Sequence, residues 1–297
     1  MIRLGAGCKV NLGLRVLGRR PDGYHELDSV FWPLALPRDE LRIRLTPEGG
    51  IRVRCDAPGI DPARNTLTRA HAAFIAEGGA APGLDVELVK RIPSGAGLGG
   101  GSSDAAALLL WLNARAKRPL APQALARAAL TVGADVPFFL TRRPSRVRGI
   151  GEVVEPLDVA RADCAPLFLV LVCPGIHVAT GQAFARLDEL GAMPGGAGSS
   201  QNNLTKPGRA ANEIRLSGAA RLDLHNDLEA AVFPRHPQLA ELKTEFGRLG
   251  ALAAGMTGSG SSVFGLFAAQ AAARAAAARL RGQYPRVYCL ALENAGM

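Results

Sequence analysis

The stretch from Lys90 to Ala107, K-R-I-P-S-G-A-G-L-G-G-G-S-S-D-A-A-A, gathers the residue types that hold an anionic ligand. Glycines let backbone come close to a ligand and take positive φ, while the unpaired N–H groups at a helix start carry partial positive charge. Ser102 and Ser103 can cap such a helix and offer hydroxyls to a phosphate or to a phosphate-bound cation. A di- or triphosphate suits this combination. The alternation of Leu84, Val86 and Leu88 predicts a strand leading into the loop, and the run Ala105 to Leu112 predicts a helix leading out.

Other glycine loops fit less well. Gly95, Gly97 and Gly100 have dinucleotide-fold spacing, but Pro119 and Pro122 lie where that fold needs an acidic strand end. Gly95 to Ser102 has the length of a Walker loop, yet Gly101 stands where its lysine belongs. The chain has no V-A-I-K, H-R-D or D-F-G segment, which excludes a protein-kinase loop.

Pro93 to Ala106 resembles instead the ATP-phosphate loop of the GHMP kinases, which act on galactose, homoserine, mevalonate and phosphomevalonate. Pro93, Gly97, Leu98, Gly99, Ser102 and Ser103 carry the likeness. The triple glycine Gly99 to Gly101 narrows it to the branch whose acceptor is a cytidine diphosphate-linked methylerythritol. This resemblance implies an α+β fold, with a ribosomal-protein-like βα domain over 1–155 and a ferredoxin-like domain over 156–297. It implies ATP as co-substrate, Mg²⁺, and γ-phosphoryl transfer to the 2-hydroxyl of the methylerythritol. ATP is then expected on Pro93, Ser94, Gly95, Ala96, Gly97, Leu98, Gly99, Gly100, Gly101, Ser102 and Ser103, with Asn65 and Lys90 toward the adenosine. The magnesium ligands are not visible in sequence, since such a site can use one hydroxyl, phosphates and water.

Other segments match the same family. C-K-V-N-L places Lys9, the only lysine of the first 89 residues, and Asn11 on one face of a strand. Pro21-Asp22-Gly23 is a turn that delivers Tyr24 and His25 to a defined place. By resemblance, Tyr24 packs on cytosine, His25 hydrogen-bonds its edge, Thr180 lies nearby, and Phe184 closes an aromatic sandwich with Tyr24. G-A-D-V-P-F matches the segment with the catalytic aspartate, here Asp135, and Lys9 is expected to support it. Residues 255–267, G-M-T-G-S-G-S-S-V-F-G-L-F, are a second glycine loop, whose glycines can bring backbone to the substrate diphosphate or to the first loop, with Gly258 and Ser259 expected at the substrate. Taken alone, several of these have plainer roles: Asn65 a helix start, Asp135 a turn cap, Phe184 a core residue.

The net charge of +9 raises a second class, an RNA-binding module, with Arg142, Arg143, Arg146 and Arg148 as its local support. No aromatic adjoins them to stack on bases, so a solvated basic loop is the expectation. Other GHMP kinases, of sugar, homoserine or mevalonate type, are the alternative within enzymes. The longest apolar run, Leu167 to Cys173, is too short to span a bilayer, and no membrane or nucleic-acid partner is expected. Cys8, Cys55, Cys164, Cys173 and Cys289 form no C-x-x-C, which fits buried thiols in a reducing cytoplasm. A monomer or homodimer is expected.

For the remaining elements, residues 2–17 read as a strand pair, and residues 41–55 as a hairpin about Pro47–Gly50. A helix follows Asn65, another runs from Pro122 to near Gly133, and Leu167 to Val172 is a buried strand. Residues 193–211 read as a mobile insertion, and His225 to Glu229 as a helix entry.

Overall fold

The N-terminal alternation folds as one long strand rather than a pair: β1 spans Ile2–Arg19 and runs antiparallel to β2, His25–Thr46. This computed structural model describes residues 1–57, 61, 65–157, 167–191, 213–217 and 220–292. After β2 come β3 (Ile51–Cys55), α1 (Thr66–Ala76), β4 (Gly83–Val89), α2 (Gly100–Arg115), α3 (Pro122–Val132), α4 (Val136–Thr141), β5 (Ser145–Gly149) and β6 (Val153–Pro156). The C-terminal elements are β7 (Phe168–Cys173), α5 (Thr180–Glu189), β8 (Glu213–Ser217), β9 (Ala220–Asp223), α6 (Glu229–Val232), α7 (Pro237–Arg248), β10 (Ala253–Met256), β11 (Val263–Phe267), α8 (Gln270–Arg281) and β12 (Arg286–Ala291).

Six strands make the first sheet, in the order β3-β4-β2-β5-β6, with β1 paired to β2. The turn at Pro47–Gly50 is present, but it does not close a hairpin. β4 pairs antiparallel with β2 and parallel with β3, so it lies between the two strands the turn connects. A bulge interrupts the long pair: Ala6 faces Asp39 and Cys8 faces Leu34, so β2 carries an excess of residues opposite Gly7.

The second sheet is antiparallel with the order β10-β11-β7-β12, a ferredoxin-like arrangement. β7 is buried on both faces and therefore apolar throughout rather than alternating. Val170 and Val172 turn toward α7 and α8, with Phe246, Phe267 and Leu280. Leu169 and Leu171 turn the other way, against Val10, Leu12 and Trp32 of the first sheet. This shared layer joins the halves. Each fully buried Leu, Val or Phe contributes about 1.5–3 kcal/mol.

On the outer face of the first sheet, α1, α2 and α3 cover Leu41, Ile43 and Val86. α3 shows why such sequence makes a helix: Leu125, Ala128, Ala129 and Val132 form one buried stripe, Pro122 starts it and Gly133 follows it. Arg142 and Arg143 of the basic stretch lie in the loop between α4 and β5, but its second half is strand. Arg146 and Arg148 lie on β5, and they pair with Asp28 at 2.6 Å and Glu155 at 2.5 Å. Among the described residues no helix is long and apolar enough to cross a membrane, and Cys8, Cys55, Cys173 and Cys289 are free thiols. Residues 193–211 and Cys164 lie outside the described residues.

Candidate active site

The glycine loop leaves β4 and enters α2, as its flanking patterns predict. Neither serine caps the helix. Gly99, at φ 70°, takes the N-cap position and α2 starts at Gly100. A pocket of about 460 Å³ opens above the loop, lined by Pro93 to Ser102 together with Lys9, Asn11, Asn65, Lys90 and Asp135 on one side and Thr180, Phe184, Gly258 and Ser259 on the other. Ser103 does not reach it. Its side chain lines a separate cavity of about 240 Å³ behind α2, walled by Gly5, Cys8, Leu34, Ala107 and Phe139.

Lys9 is the electrostatic centre. It is buried, and its ammonium donates to Asn11 Oδ1 at 2.6 Å and to the Gly97 carbonyl at 3.0 Å. It lies 3.6 Å from Asp135 Oδ2 and 4.7 Å over the Phe31 ring. Burial lowers the pKa of the Lys9 ammonium, and the Asp135 carboxylate opposes that effect. Asp135 enters α4 just before Val136 and Pro137, and its side chain keeps about a third of its surface exposed, open to a ligand in the pocket. Lys9 and Asn11 share one strand face, and both touch this cluster.

The second glycine loop packs directly on the first. Thr257 was not singled out by sequence, yet its Oγ1 accepts from the Asn11 backbone N–H at 2.9 Å and lies 3.2 Å from both Asn11 Oδ1 and the Gly97 carbonyl. Asn226 was read only as part of a helix entry. Its Nδ2 donates to the Met256 and Gly258 carbonyls at 2.8 and 2.9 Å, holding the second loop, while its Oδ1 accepts from Leu228 N–H. The only sequence signal was its place in the H-N-D-L-E segment.

Toward the C-terminal side, Thr180 and Ser259 share a hydrogen bond of 2.9 Å. The aromatic partner of Phe184 is His25 rather than Tyr24: their rings stack with centroids 4.7 Å apart. His25 Nε2 lies 2.8 Å from Asp188 Oδ1, which fixes the imidazole. Tyr24 is 58% exposed at the turn and lines no part of the pocket. Asn65 occupies its plainer role as well, since its Oδ1 accepts from Leu67 and Thr68 N–H and caps α1 at the pocket wall. Lys90 lines the pocket while its ammonium is held by Asp39 and Asp104.

A polyphosphate-sized glycine loop at a helix start, facing a Lys–Asp pair between two α+β halves, defines a small-molecule kinase. The chain belongs to the GHMP kinases: the family models for the GHMP kinase N-terminal and C-terminal domains match residues 65–143 and 197–286. Within that family its likeness is to 4-diphosphocytidyl-2-C-methyl-D-erythritol kinases. It is 42% identical to the one from Nitratidesulfovibrio vulgaris over 97% of each chain. It is 45% identical to that from Solidesulfovibrio magneticus, over 95% of this chain and 93% of the relative. A crystal structure of 4-(cytidine 5'-diphospho)-2C-methyl-D-erythritol kinase superposes with a TM-score of 0.73 at 32% identity, covering 98% of both chains.

Proposed function

We propose that this chain transfers the γ-phosphoryl group of ATP to the 2-hydroxyl of 4-diphosphocytidyl-2-C-methyl-D-erythritol, in the cytoplasm, on the route to isoprenoid precursors. The observation that carries the chemistry is the Lys9–Asp135 pair, 3.6 Å apart at the mouth of the glycine loop. The names of the similar proteins supply the acceptor.

In this reading the loop N–H groups from Gly95 to Ser102 cradle the nucleotide phosphates, and Asp135 accepts the proton of the acceptor hydroxyl. A loose phosphoryl-transfer transition state builds little charge on the attacking oxygen, so an ordinary carboxylate suffices late in the transfer. Lys9, anchored by Asn11 and Gly97, stabilises the negative charge that develops, and its burial strengthens that interaction. Phe184 and His25 offer an aromatic face for the cytosine, with Asp188 orienting the imidazole. Tyr24 would have to swing in from solvent. Gly258, Ser259 and Thr180 line the path of the substrate diphosphate.

Magnesium supplies charge neutralisation on the transferring phosphates. Among the described residues no cluster of three His, Cys, Asp or Glu side chains gathers to hold a cation. Ser102, which lines the pocket in the first turn of α2, would offer a hydroxyl to an ion carried on the nucleotide phosphates.

The test is ADP formation from Mg-ATP with the diphosphocytidyl methylerythritol, beside mevalonate, homoserine and galactose. Turnover with the cytidine compound alone is expected. Turnover with another alcohol would retain the kinase and overturn the acceptor; salt-sensitive RNA binding without phosphoryl transfer would overturn both.

A further inference from the structure

The cavity of about 240 Å³ behind α2 takes no part in the phosphoryl transfer. Two consecutive serines of one helix turn face different spaces: Ser102 lines the nucleotide pocket and Ser103 lines this cavity. Phe139 forms the partition between them. A β-carbon on Gly99 would stand 3.0 Å from the Phe139 ring and 3.3 Å from Lys9 Cε, so the ring closes the cavity on the side of the phosphate loop.

The cavity is apolar inside and basic at its rim. Cys8, Leu34 and Phe139 are buried in its wall, and burial pushes the Cys8 thiol well above its ordinary range, so it stays neutral. Ser103 is only 5% exposed, yet among the described residues its hydroxyl has no hydrogen-bond partner. A buried hydroxyl is costly to leave unpaired, and this one is open to whatever fills the cavity. Arg38 and Arg142 are exposed and line the same cavity. Several arginines of this sheet are neutralised: Arg3 and Arg42 by Glu40, Arg146 by Asp28, Arg148 by Glu155. Arg38 and Arg142 have no carboxylate partner among the described residues. Two free guanidiniums at the mouth of an apolar cavity match the oxygens of a phosphate, whose forked geometry a guanidinium can meet with two hydrogen bonds.

We propose that this cavity is a second ligand site, for a small phosphomonoester with an apolar body. Arg38 and Arg142 hold the phosphate at the rim, the hydrocarbon lies against Cys8, Leu34 and Phe139, and a ligand oxygen accepts from the Ser103 hydroxyl. Neither part of such a ligand suffices alone. An inorganic anion leaves the apolar wall uncovered, and an uncharged hydrocarbon leaves both guanidiniums without a partner. The site goes beyond the kinase reading and does not depend on it.

Calorimetric titration of the full chain with n-hexyl phosphate, beside inorganic phosphate and n-hexanol, tests it. Hexyl phosphate should bind about tenfold or more tightly than either of the others, the scale of charge-assisted hydrogen bonds added to apolar burial. Arg38→Ala combined with Arg142→Gly removes both guanidiniums from exposed positions, and glycine adopts the φ of 49° found at residue 142 without strain. That double variant should bind hexyl phosphate about tenfold or more weakly while its affinity for hexanol stays the same. Ala107→Leu, which fills the cavity from α2, should abolish binding of both; should it fail to fold, the arginine variant decides. Equal affinity for hexyl phosphate in the wild type and the arginine variant would place the ligand elsewhere and overturn the proposal. So would hexyl phosphate that binds the wild type no better than hexanol or inorganic phosphate, or does not bind at all.

Discussion

Gly97 and Thr257, one from each glycine loop, are in backbone contact: a β-carbon on Gly97 would lie 2.0 Å from the Thr257 carbonyl oxygen. Gly97 is also at φ 74°, where an L side chain is strained. Gly97→Ala should therefore destabilise the protein by about 2–4 kcal/mol, from backbone strain plus overpacking. Urea denaturation checks this, and an unchanged midpoint would mean that the loops separate at no cost.

Asp135→Asn should lower kcat by about 10²–10⁴-fold while leaving ATP affinity nearly intact, as expected for loss of a general base. Steady-state kinetics with nucleotide binding measured separately reads both quantities. Full retained turnover would remove Asp135 from the chemistry.

Lys9→Met keeps an unbranched apolar side chain and deletes the ammonium together with its contact over the Phe31 ring. A loss in kcat of about 10²–10³-fold is expected, the scale of one preorganised stabilising donor. If the variant lost only ATP affinity, Lys9 would be a nucleotide ligand and nothing more.

Phe184→Ala and Tyr24→Ala separate the two aromatics. Removing Phe184 should weaken the cytidine substrate by about 1–3 kcal/mol, on the scale of a base–aromatic stack. Tyr24→Ala should leave folding stability within about 0.5 kcal/mol, as for an exposed side chain. A raised KM in that variant would mean that Tyr24 closes on the substrate; an unchanged KM would confine the stack to Phe184 and His25.

Stability itself should depend on Asp104. Burial, opposed by Lys90 and reinforced by Asp39, raises the carboxyl of folded Asp104 to about 7, against 3.8 for an ordinary aspartate. The folded state thus binds more protons across that window, and this group's contribution to stability falls as pH rises through it and levels off above. Asp104→Asn lacks the titration, so its melting temperature should gain on that of the wild type between pH 4 and pH 8. Parallel melting profiles would contradict this.

The parts of the site built from local pattern were legible in the sequence. Strand period places Lys9 and Asn11 on one face, and the flanking runs place the glycine loop between β4 and α2. What needed the whole fold was not legible. A parallel β4–β3 pair overrode the hairpin at Pro47–Gly50, because sheet order is set by long-range packing rather than by the turn. Gly99, not a serine, caps α2, since Ser102 and Ser103 lie inside its first turn. Asp39, Thr257 and Asn226 gain their roles only through partners far along the chain. Tyr24 and His25 were placed by their turn, but which of the two meets Phe184 depends on Asp188.

The hydrogen bond from the Asn11 backbone N–H to Thr257 joins residues 246 positions apart. Leu14, on the same strand, exchanges backbone hydrogen bonds with His225 and Asp227. A chain emerging from the ribosome displays Lys9 long before Thr257, so the pocket cannot close until residue 257 has been made. Interrupted translation products would be catalytically silent, and the first appearance of turnover during synthesis would time the docking of the C-terminal sheet onto β1.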